Sequence, residues 1–349
     1  AEWIEQVSSE LHYNDKNLIE KVIRALSLLE MLVKAGCPLV FKGGTALMLI
    51  LGKSAHRLSI DIDLICPPGT NIEDYLKSFA DFGFINLELV ERKQRDDADI
   101  PKSHSKFFYQ IAYRNDTDAQ SYILLDVLYE DIHYFRTQQI AINCPFIRLE
   151  GKPLMVTVPS AEDILGDKLT AFAPNTTGIP YYRNGRSCSM EIAKQLYDVG
   201  RLFENVSDLQ ITKEAFRKIA VVELSYRSFG TDIGQVFNDI RQTALCISTR
   251  GKAGEGDFDL IQDGIIRVKS FMYKQRYLID HAIIDAARAA YLATLIEKGI
   301  NEIESYSNNP ADIKDMVIRP SLPNKLNKLR SNLPEAYYYW AKTSELLEA

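Results

Sequence analysis

A glycine pair stands between a short apolar segment and a helical pattern, and two aspartates follow it on a second apolar stretch. The first part, residues 40–47, reads VFKGGTAL, and the second part, residues 57–64, reads RLSIDIDL. Glycines that end an apolar segment and open a helix predict a strand–turn–helix–strand path. The sequence therefore predicts that this region is part of a mixed α/β unit.

The two aspartates, Asp61 and Asp63, lie two residues apart on a predicted strand from Leu58 to Ile65. Residues with this spacing point to one face of a strand. Two carboxylates about 5 Å apart repel each other by a few kcal/mol in a partly buried setting, and a divalent cation offsets that repulsion. The alternative is a solvent-facing polar pair on an edge strand, and the short motif alone does not decide between the two.

A third carboxylate, Asp126, interrupts the apolar pattern of residues 123–128, which read ILLDVL. A buried carboxylate without a partner is costly. If this strand neighbours that of Asp61 and Asp63, three carboxylates meet at one point, as a two-metal nucleotidyl transfer requires. The alternative is that Asp126 accepts a hydrogen bond from a backbone amide or forms an ion pair with an arginine.

The glycine pair, Gly43 and Gly44, suits the approach of a phosphate to the main chain. The helix that follows presents backbone N–H groups and the positive end of its dipole. Thr45 would donate its hydroxyl to a phosphate or would cap the helix. A glycine pair by itself is more often just a tight turn, so its position ahead of Asp61 is what favours phosphate binding.

The whole chain predicts an α/β (α+β) protein with two domains. Alternating apolar patterns indicate a mixed β-sheet domain over residues 1–155, and helical patterns indicate an α-helical domain over residues 156–349. The net charge of −6 argues against a surface covered in basic residues. Five scattered cysteines without a CxxC pair indicate reduced thiols. No signal peptide or membrane span is evident, which favours the cytoplasm.

Four motifs in this order resemble a known family. They are residues 42–45 (KGGT), 57–64 (RLSIDIDL), 167–172 (DKLTAF) and 194–202 (KQLYDVGRL). The sequence is similar to the AbiEii/AbiGii-type nucleotidyltransferase toxins of the DNA polymerase β-like nucleotidyltransferase superfamily. The resemblance covers roughly residues 38–205, and four ordered motifs are far more specific than any single one.

The resemblance implies a role for each matching residue. It assigns the triphosphate to Gly43, Gly44 and Thr45, with Lys42, Arg57 and Ser59 beside them. It assigns the metal to Asp61 and Asp63, the nucleotide phosphates to Lys168, and an active-site role to Asp198. Asp126 is added as the third metal carboxylate from the geometry of the superfamily. Two positions depart from the family pattern, because many relatives have an acidic residue in place of Ile60 and often an aspartate in place of Gln195.

The implied activity is an EC 2.7.7-type transfer of NMP from an NTP to an acceptor hydroxyl, with release of pyrophosphate. The resemblance implies Mg²⁺ (or Mn²⁺) as the cofactor, a tRNA 3′ end as the acceptor and an antitoxin protein as a partner. Two alternatives stay open: the same chemistry on a protein or an aminoglycoside-like small molecule, and a non-catalytic relative that binds nucleotide or a partner.

Overall fold

The computed structural model describes residues 1–90, 102–113, 119–206, 208–227, 230 and 232–349, which form two compact units. Unit 1 comprises Ala1–Ser160 together with Ser270–Arg276, and unit 2 comprises Ala161–Lys269 together with Tyr277–Ala349. The chain thus leaves the first unit once and returns to it for one short segment. We call Ser270–Arg276 the returning segment; the sequence patterns did not predict its return.

Unit 1 is built on a five-stranded mixed sheet with the strand order β1-β2-β5-β4-β3. Strands β2 and β5 are parallel, and the other neighbours are antiparallel. Strands β6 and β7 form a separate antiparallel pair. The helices and strands described in this unit are α1 (Glu2–Glu10), α2 (Lys16–Lys34), β1 (Val40–Lys42), α3 (Gly43–Leu51), β2 (Ile62–Cys66), β3 (Asn86–Val90), β4 (Lys102–Gln110), β5 (Gln120–Tyr129), β6 (Thr137–Ala141) and β7 (Met155–Pro159).

The core of unit 1 lies on one face of this sheet. Helix α2 buries an apolar stripe that includes Val22 and Leu29, and strand β5 contributes Leu125 and Val127 to the same core. Because side chains alternate along a strand, Asp126 must point to the opposite face, where the side chains are only partly buried. The predicted mixed β-sheet is confirmed, and the Asp126 side chain lies on its face away from the core.

The strand predicted from Leu58 to Ile65 is shorter than expected, because β2 begins at Ile62. The preceding residues pair with the returning segment instead. The Leu58 amide donates a hydrogen bond to the Phe271 carbonyl (N···O 2.8 Å), and Arg57 forms an isolated antiparallel bridge with Met272. Asp61 consequently lies just before the strand, while Asp63 lies within it.

Unit 2 is helical, as predicted, apart from a small hairpin. Aspartate side chains accept hydrogen bonds from backbone N–H groups at the N-termini of three of its helices, namely at Asp208, Asp232 and Asp257. The elements described are α4 (Ala161–Ala171), β8 (Tyr182–Arg183), β9 (Arg186–Ser187), α5 (Ser189–Phe203), α6 (Leu209–Tyr226), α7 (Ile233–Ser248), α8 (Phe258–Val268), α9 (Ile279–Lys298), α10 (Leu329–Asn332) and α11 (Pro334–Glu348).

None of the helices in the described part of the chain combines the length and apolar character that crossing a membrane requires. All five cysteines are free thiols, which agrees with the prediction of reduced cysteines.

Candidate functional site

One row of side chains crosses four strands of the sheet on the face away from the core. Lys42 on β1 lies opposite Asp63 on β2, Asp63 lies opposite Asp126 on β5, and Asp126 lies opposite His104 on β4. Cross-strand partners share a face and stand roughly 5 Å apart at Cβ. The structure thus brings two of the three predicted carboxylates together, with a lysine at one end of the row and a histidine at the other.

Asp61 is held in place through its main chain. The hydroxyl of Thr45 donates a hydrogen bond to the Asp61 carbonyl (Oγ1···O 2.7 Å), and the Thr45 side chain is fully buried. Helix α3 begins at Gly43 with Lys42 as its N-cap residue. Thr45 lies inside the first turn and does not cap the helix. Its hydroxyl is used within the protein, where it fixes the residue before β2.

The two glycines allow side chains to approach the start of α3 closely. Gly43 adopts φ +79°, and a Cβ at this position would lie 2.0 Å from Oδ2 of Asp63. A Cβ at Gly44 would lie 2.7 Å from Oγ of Ser59 and 3.0 Å from Nη2 of Arg57. The glycine pair therefore gathers one carboxylate, one hydroxyl and one guanidinium at the beginning of the helix.

The charges at this point are mutually favourable. The N-terminus of α3 carries a partial positive charge, which stabilises a nearby carboxylate such as that of Asp63 by about 0.3–1 kcal/mol. The side chain of Arg57 is buried, and its Nη1 donates to the Leu58 carbonyl (3.0 Å). Backbone N–H groups and a guanidinium beside a carboxylate are groups that can bind a phosphate bridged by a cation.

His104 is the residue that sequence reasoning missed. Its Nδ1 hydrogen-bonds to Oδ1 of Asp126. The sequence suggested a backbone amide or an arginine as the alternative partner of this carboxylate, but the partner of Oδ1 is His104. The His104 side chain is 10% exposed against 37% for Asp126. Its Nε2 is buried and makes no hydrogen bond to any residue that the structure describes. The signal that identifies His104 is the register of β4 against β5, which the sequence alone does not predict.

The carboxylates suit a cation that is shared with a substrate. Among the described residues, no group of three or more His, Cys, Asp or Glu side chains is close enough together to hold a metal ion. Asp63 and Asp126 nevertheless lie side by side. Mg²⁺ in phosphate chemistry typically takes one or two carboxylates from the protein and its other ligands from phosphates and water. The residues therefore fit a substrate-completed Mg²⁺ site and do not form an all-protein cage.

The other two predicted site residues lie in unit 2 and contact each other. Nζ of Lys168 on α4 lies 3.0 Å from Oδ2 of Asp198 on α5, and both side chains are buried. Lys168 also donates to Oε1 of Gln195 (3.0 Å). Gln195, one of the two departures from the family pattern, thus touches the predicted phosphate-binding lysine directly. A buried pair of this kind costs about 3–5 kcal/mol when one partner is removed.

Comparison with known protein families gives a match by sequence. The profile of the family described as "Nucleotidyl transferase AbiEii toxin, Type IV TA system" matches residues 26–312, which extends beyond residues 38–205 at both ends. A comparison with curated proteins finds no match.

Among solved structures, JHP933 from Helicobacter pylori is similar, with 16% identity, a TM-score of 0.40, and coverage of 82% of this chain and 92% of that chain. A second H. pylori protein, described as a candidate nucleotidyltransferase, is 17% identical with a TM-score of 0.40 and coverage of 81% and 94%.

Proposed function

The chain belongs to the AbiEii family of nucleotidyltransferase toxins of type IV toxin–antitoxin systems, and we propose that it transfers NMP from an NTP to an acceptor hydroxyl in a Mg²⁺-dependent reaction. The observation that carries the proposal is the pairing of Asp63 with Asp126 beside Gly43 at the start of α3. In this reaction the acceptor oxygen bonds to the α-phosphorus, pyrophosphate leaves, and the hydroxyl proton is released to solvent.

Each site residue has a proposed role in this reaction. The proposed ligands of Mg²⁺ (or Mn²⁺) are Asp63 and Asp126, together with Asp61 just before β2, and the ion when bound neutralises phosphate charge and lowers the pKa of the attacking hydroxyl. Backbone N–H groups at Gly43 and Gly44 bind triphosphate oxygens. The remaining proposed nucleotide-binding residues are Lys42, Thr45, Arg57, Ser59 and Lys168, with Asp198 acting beside Lys168.

Thr45 and Lys168 contribute to this proposal through the contacts they make. The Thr45 hydroxyl holds the Asp61 main chain, so the role of Thr45 is to position a carboxylate, while its backbone N–H is part of the first turn of α3. The ammonium of Lys168 is held by Asp198 and Gln195. Both contacts fix the position of the ammonium group within unit 2.

The proposed acceptor is a tRNA 3′ end, and the proposed partner is a cognate antitoxin protein. Membership of a family of toxins from toxin–antitoxin systems supports both proposals, since modification of an RNA needed for translation would make a transferase toxic. The proposed place of action is the cytoplasm, where NTPs and tRNA occur together.

The test incubates the protein with each α-labelled NTP, Mg²⁺ and total RNA. Asp63→Asn removes one negative charge with little change in shape. The matched control is Asp74→Asn, because Asp74 is an exposed acid of the same unit that pairs with Lys77 and accepts a hydrogen bond from Asn71 at the surface. Label should enter RNA of tRNA size with the wild type and with Asp74→Asn, and should fall at least about 100-fold with Asp63→Asn.

Three outcomes would contradict all or part of the proposal. Equal labelling by Asp63→Asn would exclude this carboxylate from the chemistry. Label that enters protein or an added aminoglycoside, and never RNA, would exclude the tRNA acceptor while keeping the transfer. Absence of both labelling and Mg²⁺-dependent NTP binding by calorimetry would exclude transferase activity altogether.

A further inference from the structure

The sheet face that carries Asp126 continues past the carboxylates. On β5 the residues Tyr122, Leu124 and Asp126 alternate on this face, and on β4 their partners are Phe108, Lys106 and His104. Strand β2 does not extend alongside Tyr122, because its first pair with β5 is Ile62 opposite Leu125. The early part of β5 therefore presents its side chains beyond the edge of β2.

Two aromatic rings stand together on this surface. Phe108 and Tyr122 are cross-strand partners with ring centroids 5.7 Å apart and planes tilted by 56°. Tyr122 is 40% exposed, so part of its ring faces solvent. We call Phe108 and Tyr122 the aromatic platform.

Positive charge surrounds the platform. The ammonium nitrogen of Lys106 lies 5.5 Å from the Tyr122 ring centroid, and that of Lys21 lies 5.7 Å from the same centroid. Lys106 also pairs with Glu88 at 3.7 Å, but both side chains are substantially exposed, and such surface pairs contribute little. Two ammonium groups thus meet at one exposed ring in a protein whose net charge is −6.

We infer that the aromatic platform and its two lysines bind a single-stranded segment of the RNA acceptor. Single-stranded RNA is recognised when unstacked bases pack on exposed aromatic side chains of a sheet and lysines contact the phosphates. The flexible lysine stems allow the ammonium groups to leave the ring for a phosphate while a base takes their place. Bases inside a duplex are stacked on each other and cannot reach these rings.

The position of the platform relative to the carboxylates fits an acceptor. Tyr122 and Asp126 are four residues apart on one strand, or roughly 13 Å. A base on the platform therefore belongs to a nucleotide close to the reacting hydroxyl but separate from it. The inference rests on the proposed function, because that function makes RNA the acceptor. RNA binding can nevertheless be measured without NTP and without catalysis.

The experiment measures fluorescence anisotropy of a labelled, unstructured oligoribonucleotide of roughly 12 nucleotides, with a duplex of the same length as competitor. Tyr122→Leu removes the ring and Tyr122→Phe retains it. We expect Tyr122→Leu to weaken binding of the single strand by about 5- to 100-fold, and Tyr122→Phe to bind as the wild type does. Because Tyr122 is partly exposed, both variants should fold, which thermal unfolding checks.

The contribution of Lys106 is tested by the salt dependence of RNA binding. Lys106→Gln should reduce the slope of log affinity against log salt by about 0.7 for a single strand. Matched controls elsewhere on the surface are Lys77→Gln and Tyr182→Leu, whose side chains are well exposed, and they should leave affinity and slope unchanged.

Binding by Tyr122→Leu equal to that of the wild type would overturn the inference, as would a preference of the wild type for the duplex. Capture of a partner protein by this surface in place of RNA would also overturn it. If label enters RNA but Tyr122→Leu leaves KM for RNA unchanged, the platform is wrong and the proposed function stands. If no label enters RNA and the single strand still binds through Tyr122, the proposed function fails and the platform stands.

Discussion

At the scale of single residues, Gly43 decides whether Asp63 can reach the start of α3. Alanine at this position would place a Cβ 2.0 Å from the Asp63 carboxylate and would keep a residue with a side chain at φ +79°. We expect Gly43→Ala to displace Asp63 and to lower nucleotidyl transfer by about 100-fold, since a displacement of this size misaligns the reacting groups. Activity with labelled NTP and the unfolding temperature are measured together.

The chain offers a matched control for this substitution. Gly36 adopts φ +75°, and a Cβ there would meet nothing within 4 Å. Gly36→Ala therefore carries the same backbone cost of roughly 1–2 kcal/mol without the clash. It should lower the unfolding temperature and leave activity intact. Equal loss of activity in the two variants would mean that backbone strain, and not contact with Asp63, is what matters at Gly43.

His104 is expected to act by holding Asp126. Removal of the hydrogen bond in His104→Val should raise the Mg²⁺ concentration needed for half-maximal transfer by about 10- to 100-fold, as happens when the partner of a metal-binding side chain is removed. His104→Asn places an amide donor near the position of Nδ1 and should recover most of the loss. A half-maximal Mg²⁺ concentration that is the same in both variants and in the wild type would contradict this role.

At the scale of elements, local patterns predicted the parts and failed where partners lie far apart in the chain. Alternation identified the strand that carries Asp126, and the glycine pair identified the start of α3, because both signals lie within a few residues. His104 was missed because its role depends on which residue of β4 lies opposite Asp126. Thr45 was expected to donate its hydroxyl to a phosphate or to cap the helix, but the hydroxyl donates to the Asp61 carbonyl, which no local pattern predicts.

Helices α5 and α9 share a buried carboxylate whose titration can be tested. Asp285 is buried, and a Cβ at Gly200 on α5 would lie 2.0 Å from its Oδ1. Tyr277 donates to its other oxygen (3.0 Å), and Arg288 donates to Oδ1 (3.3 Å). Burial raises the pKa of Asp285 to about 6, although the nearby guanidinium groups act in the opposite direction.

This raised pKa has a defined effect on stability. Between the ordinary pKa near 4 and about 6 the folded protein holds a proton that the unfolded chain has lost, so the contribution of Asp285 to stability falls as pH rises through this window. The change is up to about 3 kcal/mol. The difference in free energy of unfolding between wild type and Asp285→Asn should therefore shift between pH 4.5 and 7 and stay constant above it.

The matched comparison is Asp312→Asn. Hydrogen bonds from Ser307 lower the pKa of the exposed Asp312, so its titration lies below this window. The difference in free energy of unfolding between the wild type and Asp312→Asn should stay constant between pH 4.5 and 7. A flat difference for Asp285→Asn as well would show that the Asp285 carboxylate stays ionised in the folded protein.

At the scale of the whole molecule, unit 1 is completed by residues that follow most of unit 2 in the sequence. The Tyr273 ring meets Phe146 edge-on with centroids 5.0 Å apart, and the Tyr273 amide donates to the His56 carbonyl (3.1 Å). The Tyr273 hydroxyl also donates to the Ala55 carbonyl. The returning segment thus supplies hydrogen-bond and packing partners to the stretch that leads into Arg57 and Ser59.

A chain of residues 1–160 lacks the returning segment and should consequently be less stable than unit 1 with that segment in place. Without the returning segment, the carbonyls of Ala55 and His56 and the amide of Leu58 lose their partners, and the Phe146 ring loses the aromatic ring beside it. Loss of a large buried aromatic side chain costs about 3–5 kcal/mol by itself, a large part of the stability of a domain of this size.

We expect the chain of residues 1–160 to unfold at a lower temperature than the full chain and to bind NTP more weakly. The same chain with residues 270–276 attached through a flexible Gly/Ser linker should regain both properties, whereas a linked segment carrying Tyr273→Ala should not. Equal unfolding temperatures for all three chains would show that the first unit folds without the returning segment.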